Sequence, residues 1–353
     1  MKDKIIYKLT QYSHGAGCGC KIAPQVLDHI LKSNFSPPDK KNLLIGNSSK
    51  DDAAVYDLGN GTALISTTDF FMPIVDDAFA FGRIASANAI SDVYAMGGRP
   101  ILAIAILGWP IDKLPAEVAQ QVIEGARSIC AEAGIALAGG HSIDNPEPVF
   151  GLAVNGLIKI TDIKANNTAK EGDVLFLTKP IGIGILSTAQ KKGVINPVDL
   201  QVMMKQLMLL NKIGESLAHL KGVHAMTDVT GFGLPGHLIE MCEGSGLSAR
   251  LNFKNIPLIP AAREYLKQHI QPGGTKRNWN SYGHKIAIAA DLNETEILDL
   301  LPDPQTNGGL LIAVGKEAAE EVRNLLNDQN LFSGIIGEMI KADEKKIYVV
   351  SGI

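Results

Sequence analysis

Apolar and polar positions follow two rhythms along this chain. Between residues 24 and 32 the apolar side chains Val26, Leu27, Ile30 and Leu31 fall at helical spacing. Residues 63–71 (ALISTTDFF) and 101–109 (ILAIAILGW) are apolar runs of strand length. Between them, residues 79–96 predict a helix rich in small side chains that stops at Gly97-Gly98. A second helix is predicted over 117–133, with strands over 135–138 and 150–158. The second half repeats the mixture, with strands over 174–178, 224–229, 248–253, 309–314 and 346–350 and helices over 200–220 and 234–243. Residues 161–173 (TDIKANNTAKEGD) are polar between two apolar segments and divide a domain over 1–160 from one over 170–353. Residues 271–278 (QPGGTKRN) read as a mobile loop. The pattern predicts a two-lobed α+β or α/β protein.

Composition narrows the function classes. The chain has 353 residues, 46% hydrophobic and 20% charged, which is globular usage and excludes wholesale disorder. Its net charge of −4 argues against a nucleic-acid binder. The apolar run 101–109 falls well short of the roughly 20 residues of a membrane span, so no membrane partner is expected. The N-terminal residues MKDKII carry two lysines without the apolar core of a secretory signal. Four cysteines do not form a disulfide framework. A cytoplasmic protein is expected.

Several clusters carry candidate chemistry. The segment His14-Gly-Ala-Gly-Cys-Gly-Cys-Lys21 sets two thiols on a glycine-rich loop beside a cation. A neighbouring cation favours thiolate, the nucleophilic form, and a glycine-rich loop, about residues 10–22, can close over a site. A Walker A loop is ruled out because Cys20 precedes Lys21 and Ile22 follows it. A structural zinc site lacks a second pair of ligands, and Cys130 and Cys242 read as core thiols.

A second set is acidic: Asp51-Asp52 before an apolar segment, Asp69 inside a strand, Asp92 one turn after Asn88 in the small-residue helix, and Asp228 at a strand end. Carboxylates from separate segments suit Mg²⁺, a hard ion that shares its shell between carboxylates and phosphate oxygens. For Asp51 and Asp228 a turn or cap role fits equally well. Gly140-His141-Ser142, after a short strand, reads as a tight turn or a close backbone approach to phosphate. Gly231-Phe-Gly-Leu-Pro-Gly236 has the form of a dinucleotide fingerprint, but no acidic residue ends the following strand. Residues 303–309 (DPQTNGG) read as a turn. The residues alone lead to a Mg²⁺-dependent, phosphate-handling enzyme with a mobile cysteine-lysine loop.

The segment LTQYSHGAGCGCK (9–21) strongly resembles the selenophosphate synthetase (selenide, water dikinase) family. The resemblance continues through DDAAVY (51–56), STTDFFMPIV (66–75), NAISD (88–92), AMGG (95–98), AIAILGWP (103–110), AGGHSID (138–144), MTDVTGFG (226–233) and DPQT (303–306). It implies an α+β, two-lobed fold of the aminoimidazole-ribonucleotide-synthetase type, with mixed sheets packed with helices and N-terminal lobes pairing in a homodimer. It implies that ATP, selenide and water give selenophosphate, AMP and phosphate, with Mg²⁺ and a monovalent cation, usually K⁺.

By position, Cys18 matches the family's catalytic cysteine and Lys21 its essential lysine. Asp52, Asp92 and Asp228 match the Mg²⁺ ligands. Ser49, Lys50, Asp51, Asp69, Asp92 and Gly140-His141-Ser142 match ATP-contacting positions, with Lys50 where arginine is common. Pro235 stands where leucine is common, and Asn307 where serine is. Two other functions compete: an ATP-dependent kinase or ligase of the same superfamily, which leaves the cysteine loop idle, and a selenium or metal carrier, which leaves the aspartates idle. The selenium source is free selenide or a delivery protein.

Overall fold

The computed structural model of the chain describes residues 7–20, 22, 24–32, 41–46 and 50–352. The first lobe runs α1 (Pro24–Ile30), β1 (Leu43–Ile45), β2 (Ala54–Asp57), β3 (Thr62–Phe71), α2 (Ala78–Ala95), β4 (Arg99–Trp109), α3 (Ala116–Ala133), β5 (Ala136–Asp144) and β6 (Val149–Lys159). The second opens with β7 (Val174–Leu177), α4 (Ile183–Lys191), α5 (Pro197–Met208), α6 (Ile213–Ala218), β8 (Val223–Asp228), α7 (Gly233–Ser245) and β9 (Leu247–Asn252). It continues through α8 (Pro260–Lys267), α9 (Gly273–Tyr282), β10 (Ile286–Ile288), α10 (Glu294–Leu300), β11 (Leu310–Val314), α11 (Ala319–Asp328), β12 (Ile335–Lys341) and β13 (Ile347–Val350). The strands form a mixed six-stranded sheet, β1-β2-β3-β6-β4-β5, and a mixed seven-stranded sheet, β10-β13-β9-β12-β7-β11-β8.

Strand alternation gives the first sheet two unlike faces. Ala63, Ile65 and Phe71 of β3 are buried against the helices, and Thr67 and Asp69 share that face. The opposite face carries Tyr56, Phe70, Leu102, Ile104 and Ile143, all exposed. Helix α2 is buried at every position except Phe79 and Arg83, because it packs on the first sheet, on α3, and on α5, α6 and β8 of the second lobe. A helix enclosed on all sides has no polar stripe, which explains its run of small side chains. Its crossing with α3 is close: a Cβ on Gly82 would lie 1.9 Å from the Val122 carbonyl oxygen, and one on Gly125 2.0 Å from that of Phe79.

Three expectations are corrected. The strand predicted over 135–138 continues to Asp144, so Gly140-His141-Ser142 is edge strand rather than turn. Glycine discourages a strand assignment, but pairing with β4 carries the backbone through. The helix predicted over 200–220 is two, broken between α5 and α6, where Asn211 turns inward to bond Ser91 and the Gly308 carbonyl. The segment 271–278 is no loop. Helix α9 starts directly after Pro272, and Asn278 donates to the carbonyls of Gly231 and Pro302 at 2.9 Å each. Pro235, which stands where leucine is common in the family, lies within the first turn of α7, where a missing N–H costs no helical bond.

Candidate active site

The site lies where α2 meets both lobes. From β3, Thr67 and Asp69 point toward α2, two residues apart on one face. From α2 come Asn88, Ser91 and Asp92, spaced to share one side of the helix. Asp228 ends β8, and Asp51 and Asp52 precede β2. Three of these carboxylates are each oriented by a short hydroxyl side chain. Thr67 Oγ1 donates to Asp92 at 2.5 Å, Ser91 Oγ to Asp228 at 2.6 Å, and Thr227 Oγ1 to Asp52 at 2.9 Å. Asn166, in the segment joining the lobes, gives its N–H to both Asp51 oxygens at 3.3 Å and its side-chain amide to the Lys50 carbonyl at 2.9 Å.

These acids crowd one another. Burial, followed by the charges of Asp228, Asp51 and Asp92, pushes the Asp52 carboxyl well above the usual carboxylate range. Burial likewise pushes Asp51 up to about 7, against the pull of the Asn166 and Asp52 N–H groups. Behind Asp228 lies Lys179, buried, with its ammonium lowered to about 7 by burial and partly restored by Asp228. It donates to the carbonyls of Leu209 and Asn307 at 2.7 and 2.9 Å.

The cysteine loop closes over this cluster. Gly17–Cys20 form a single 3-10 turn, and the Cys18 side chain is only 1% exposed. Its Sγ lies 3.3 Å from Asn88 Oδ1 and 4.0 Å from Asp69 Oδ2, while Asn88 Nδ2 donates to Asp69 at 2.6 Å. The Cys18 N–H donates to Thr306 Oγ1 at 3.0 Å, and the Asn307 N–H to Asn88 Oδ1 at 2.7 Å. Gly17, at φ +53°, leaves no room for a side chain, since a Cβ there would come within 2.6 Å of Thr306 Oγ1.

The structure thus brings together Cys18, Asp51, Asp52, Asp69, Asp92 and Asp228. Lys50 sits beside them in the left-handed region at φ 52°. Lys21 and Ser49 lie outside the described residues. Gly140, His141 and Ser142 are not brought in. They are exposed on β5, three strand spacings from β3, a distance of roughly 14 Å. Cys130 and Cys242 are buried core thiols. The sequence reading gave no role to Thr67, Ser91, Thr227, Thr306 or Asn307. Thr67 lies two residues before Asp69, and Ser91 and Thr227 directly precede Asp92 and Asp228, but each bonds an aspartate from another segment, which no local spacing shows. Thr306 and Asn307 sit in a segment that read as a plain turn.

Among the described residues, no three His, Cys, Asp or Glu side chains converge closely enough to hold an ion as they stand. The donor set nonetheless fits a hard divalent cation. Its atoms are carboxylate oxygens, and the buried Asp52 Oδ2 has no hydrogen-bond partner. A cation there would satisfy that oxygen and relieve the repulsion among the acids.

Residues 50–158 match the family model for the AIR synthase related protein N-terminal domain, and residues 170–350 the one for its C-terminal domain. The selenide, water dikinase of Aeromonas hydrophila is 61% identical over 332 residues, covering 94% of this chain and 95% of that protein. The chain belongs to the selenide, water dikinase family. The family member from Yersinia pseudotuberculosis is 57% identical, covering 97% of each chain. Two solved structures share the fold at lower identity. The thiamine-monophosphate kinase of Stenotrophomonas maltophilia has a TM-score of 0.66 at 19% identity, covering 89% of this chain and 93% of that one. The hydrogenase maturation protein HypE in complex with ATP has a TM-score of 0.62 at 18% identity, covering 98% and 95%. The α+β two-lobed architecture of selenide, water dikinases is therefore that of the wider AIR synthase related group.

Proposed function

We propose that the chain makes selenophosphate from selenide, ATP and water, releasing AMP and phosphate. The observation that carries this is a buried thiol, Cys18, held against Asn88 and Asp69 at the edge of a cluster of crowded carboxylates. A carrier would not need that cluster, and a kinase acting on a carbon substrate would not need the thiol.

Asp52, Asp92 and Asp228 are the residues we assign to Mg²⁺, which when bound would neutralise charge on the triphosphate. Thr227, Thr67 and Ser91 keep those carboxylates aimed. Asp51, Asp69, Lys50 and Ser49 contact the nucleotide in this reading, and Lys21 stabilises charge on the transferred phosphoryl group. Selenide attacks the γ-phosphorus: the Se–P bond forms, the bond to the bridging oxygen breaks, and ADP leaves. Water then cleaves the ADP to AMP and phosphate. Cys18 receives or orients selenium and does not take the phosphoryl group.

A homodimer belongs to the same reading. The exposed apolar face of the first sheet is what pairing N-terminal lobes would cover. Pairing would also let Gly140, His141 and Ser142 serve a second copy's nucleotide, since they lie far from the carboxylates of their own chain. No helix among the described residues is long and apolar enough to cross a membrane. We assign the protein to the cytoplasm, where reduced thiols persist.

Phosphorus NMR of an anaerobic mixture of protein, ATP, Mg²⁺, K⁺ and selenide tests the proposal, with Na⁺ replacing K⁺ in a parallel sample. Selenophosphate, AMP and phosphate in equal amounts are expected. ADP without selenophosphate would move the reading to the kinase-like relatives, and no ATP loss would refute an ATP-driven reaction.

A further inference from the structure

The seated loop is a wall with two chemically opposite sides. On its inner side Cys18 faces Asn88, Asp69 and the other acids. On its outer side lies a cavity of about 540 Å³ between the loop and the second lobe, lined among others by His14, Gly19, Thr188, Lys191, Arg277 and Thr306. Lys191 ends α4 and Arg277 lies on α9, and both are exposed, so the cavity opens to solvent. Thr306, at 2% exposure, binds the Cys18 N–H and brings the cavity lining to the thiol's backbone.

The two cations hold the loop on either side of Cys18. Lys191 Nζ donates to three consecutive carbonyls, those of Ser13, His14 and Gly15, at 3.0, 3.3 and 3.1 Å. Arg277 Nη2 donates to the Gly19 carbonyl at 2.8 Å. Carbonyls are neutral, so these bonds fix both side chains without cancelling their charge. No described residue lining the cavity is acidic. Three described carboxylates bond lining residues from behind: Glu147 at His14 (2.9 Å), Asp299 at the Gln271 amide (2.8 Å) and buried Asp303 at the Gly184 N–H (2.9 Å), the last pushed up to about 8 by burial. The first residues of α9, Gly273 and Gly274, also line the cavity, and a helix start adds positive potential.

We propose that this cavity is the entrance by which a small chalcogenide monoanion reaches Cys18, with Lys191 and Arg277 as its attracting residues. The proposal rests on the assigned reaction, in which hydroselenide is the substrate. An anion approaching across the acids would be repelled, whereas a cleft of one sign concentrates the opposite charge and speeds its arrival. The same two residues keep the loop closed, so capture and positioning share one pair of side chains.

The test compares two alkylating agents at Cys18 in the intact protein, with modification located by peptide mass spectrometry. Iodoacetate is an anion and iodoacetamide is neutral, so the ratio of their rates isolates the charge of the approach. Loop opening alone would change both rates alike. Cys130 and Cys242, whose thiols burial pushes up to about 11 and 12, serve as internal controls. Lys191→Met and Arg277→Gln are each expected to lower the iodoacetate-to-iodoacetamide ratio about 3-fold, and the double variant about 10-fold, the lower end of steering effects. Lys191→Arg should restore the ratio.

In turnover, the same variants should raise KM for selenide by a similar factor and leave KM for ATP unchanged. An unchanged ratio in the double variant would overturn the proposal, as would equal rises in both KM values. If the wild-type protein made no selenophosphate while the ratio still responded, the assigned reaction would fail and the anion entrance would stand.

Discussion

If Asp52, Asp92 and Asp228 hold a divalent cation beside Asp51, its binding must expel protons. With its carboxyl at about 7, Asp51 keeps about half a proton at pH 7 in the cation-free protein. Asp52, raised well above the usual range by burial and then by three acidic neighbours, adds to that store. Lys179, with its ammonium at about 7, is also half protonated there and would be driven lower by a cation beside Asp228. A bound cation would lower all three groups. Cation binding favours the deprotonated form of each group, so it releases protons and strengthens as pH rises through about 7. One proton released per ion corresponds to roughly tenfold tighter binding per pH unit, or about 1.4 kcal/mol, below that point.

The assay is a Mg²⁺ addition to lightly buffered, cation-free protein with a pH indicator. It is paired with the Mg²⁺-induced rise in melting temperature at pH 6, 7 and 8. Roughly one proton per ion is expected at pH 7, with a larger thermal shift at pH 8 than at pH 6. Asp52→Asn removes the most crowded acid and should reduce both the release and the affinity. No release from the wild-type protein, or an unchanged Mg²⁺ response in Asp52→Asn, would refute the assignment of these carboxylates to the cation.

Further outcomes are expected. Cys18→Ser and Lys21→Ala should each abolish selenide-dependent turnover, while Cys20→Ser keeps most of it; equal loss for Cys20→Ser in the NMR assay would mean that both thiols act. Thr306→Val removes the acceptor for the Cys18 N–H, and Asn88→Ala removes the contact to its sulfur. Each should speed alkylation of Cys18 by either reagent and slow turnover about tenfold or more, with little change in urea stability. Gly82→Ala would drive a methyl group into the Val122 carbonyl. It should destabilise the first lobe by about 2–4 kcal/mol in urea unfolding.

Much of the first lobe was legible because its elements are long and strongly patterned. The runs that became β3, β4 and β6 and the small-residue stretch of α2 announce themselves within single windows. The errors fall where local preference and tertiary structure disagree. The glycine pair Gly139-Gly140 looks like a turn until β4 pairs with it. Pro272-Gly273-Gly274 looks like a loop until Asn278 is tied to two carbonyls from other segments. Helices α4, α8, α10 and α11 were passed over, which hid Lys191 altogether and left Arg277 in a supposed loop.

The aspartates stood out because a charge inside an apolar element needs a reason. Thr306 and Asn307 did not stand out, since polar residues in a turn need none. Their importance comes from Cys18 and Asn88, which arrive from the far end of the chain.

That separation has a consequence for synthesis of the protein. The Cys18 N–H finds its acceptor 288 positions later in the chain. Until residue 307 has left the ribosome, neither Thr306 nor Asn307 can seat the loop, and Cys18 rides on a tether of glycines as an ordinary accessible thiol. A nascent or truncated chain is therefore chemically inert toward the reaction and open to oxidation of its most important sulfur. The finished fold reverses both conditions at once: the step that makes the thiol useful is also the one that hides it.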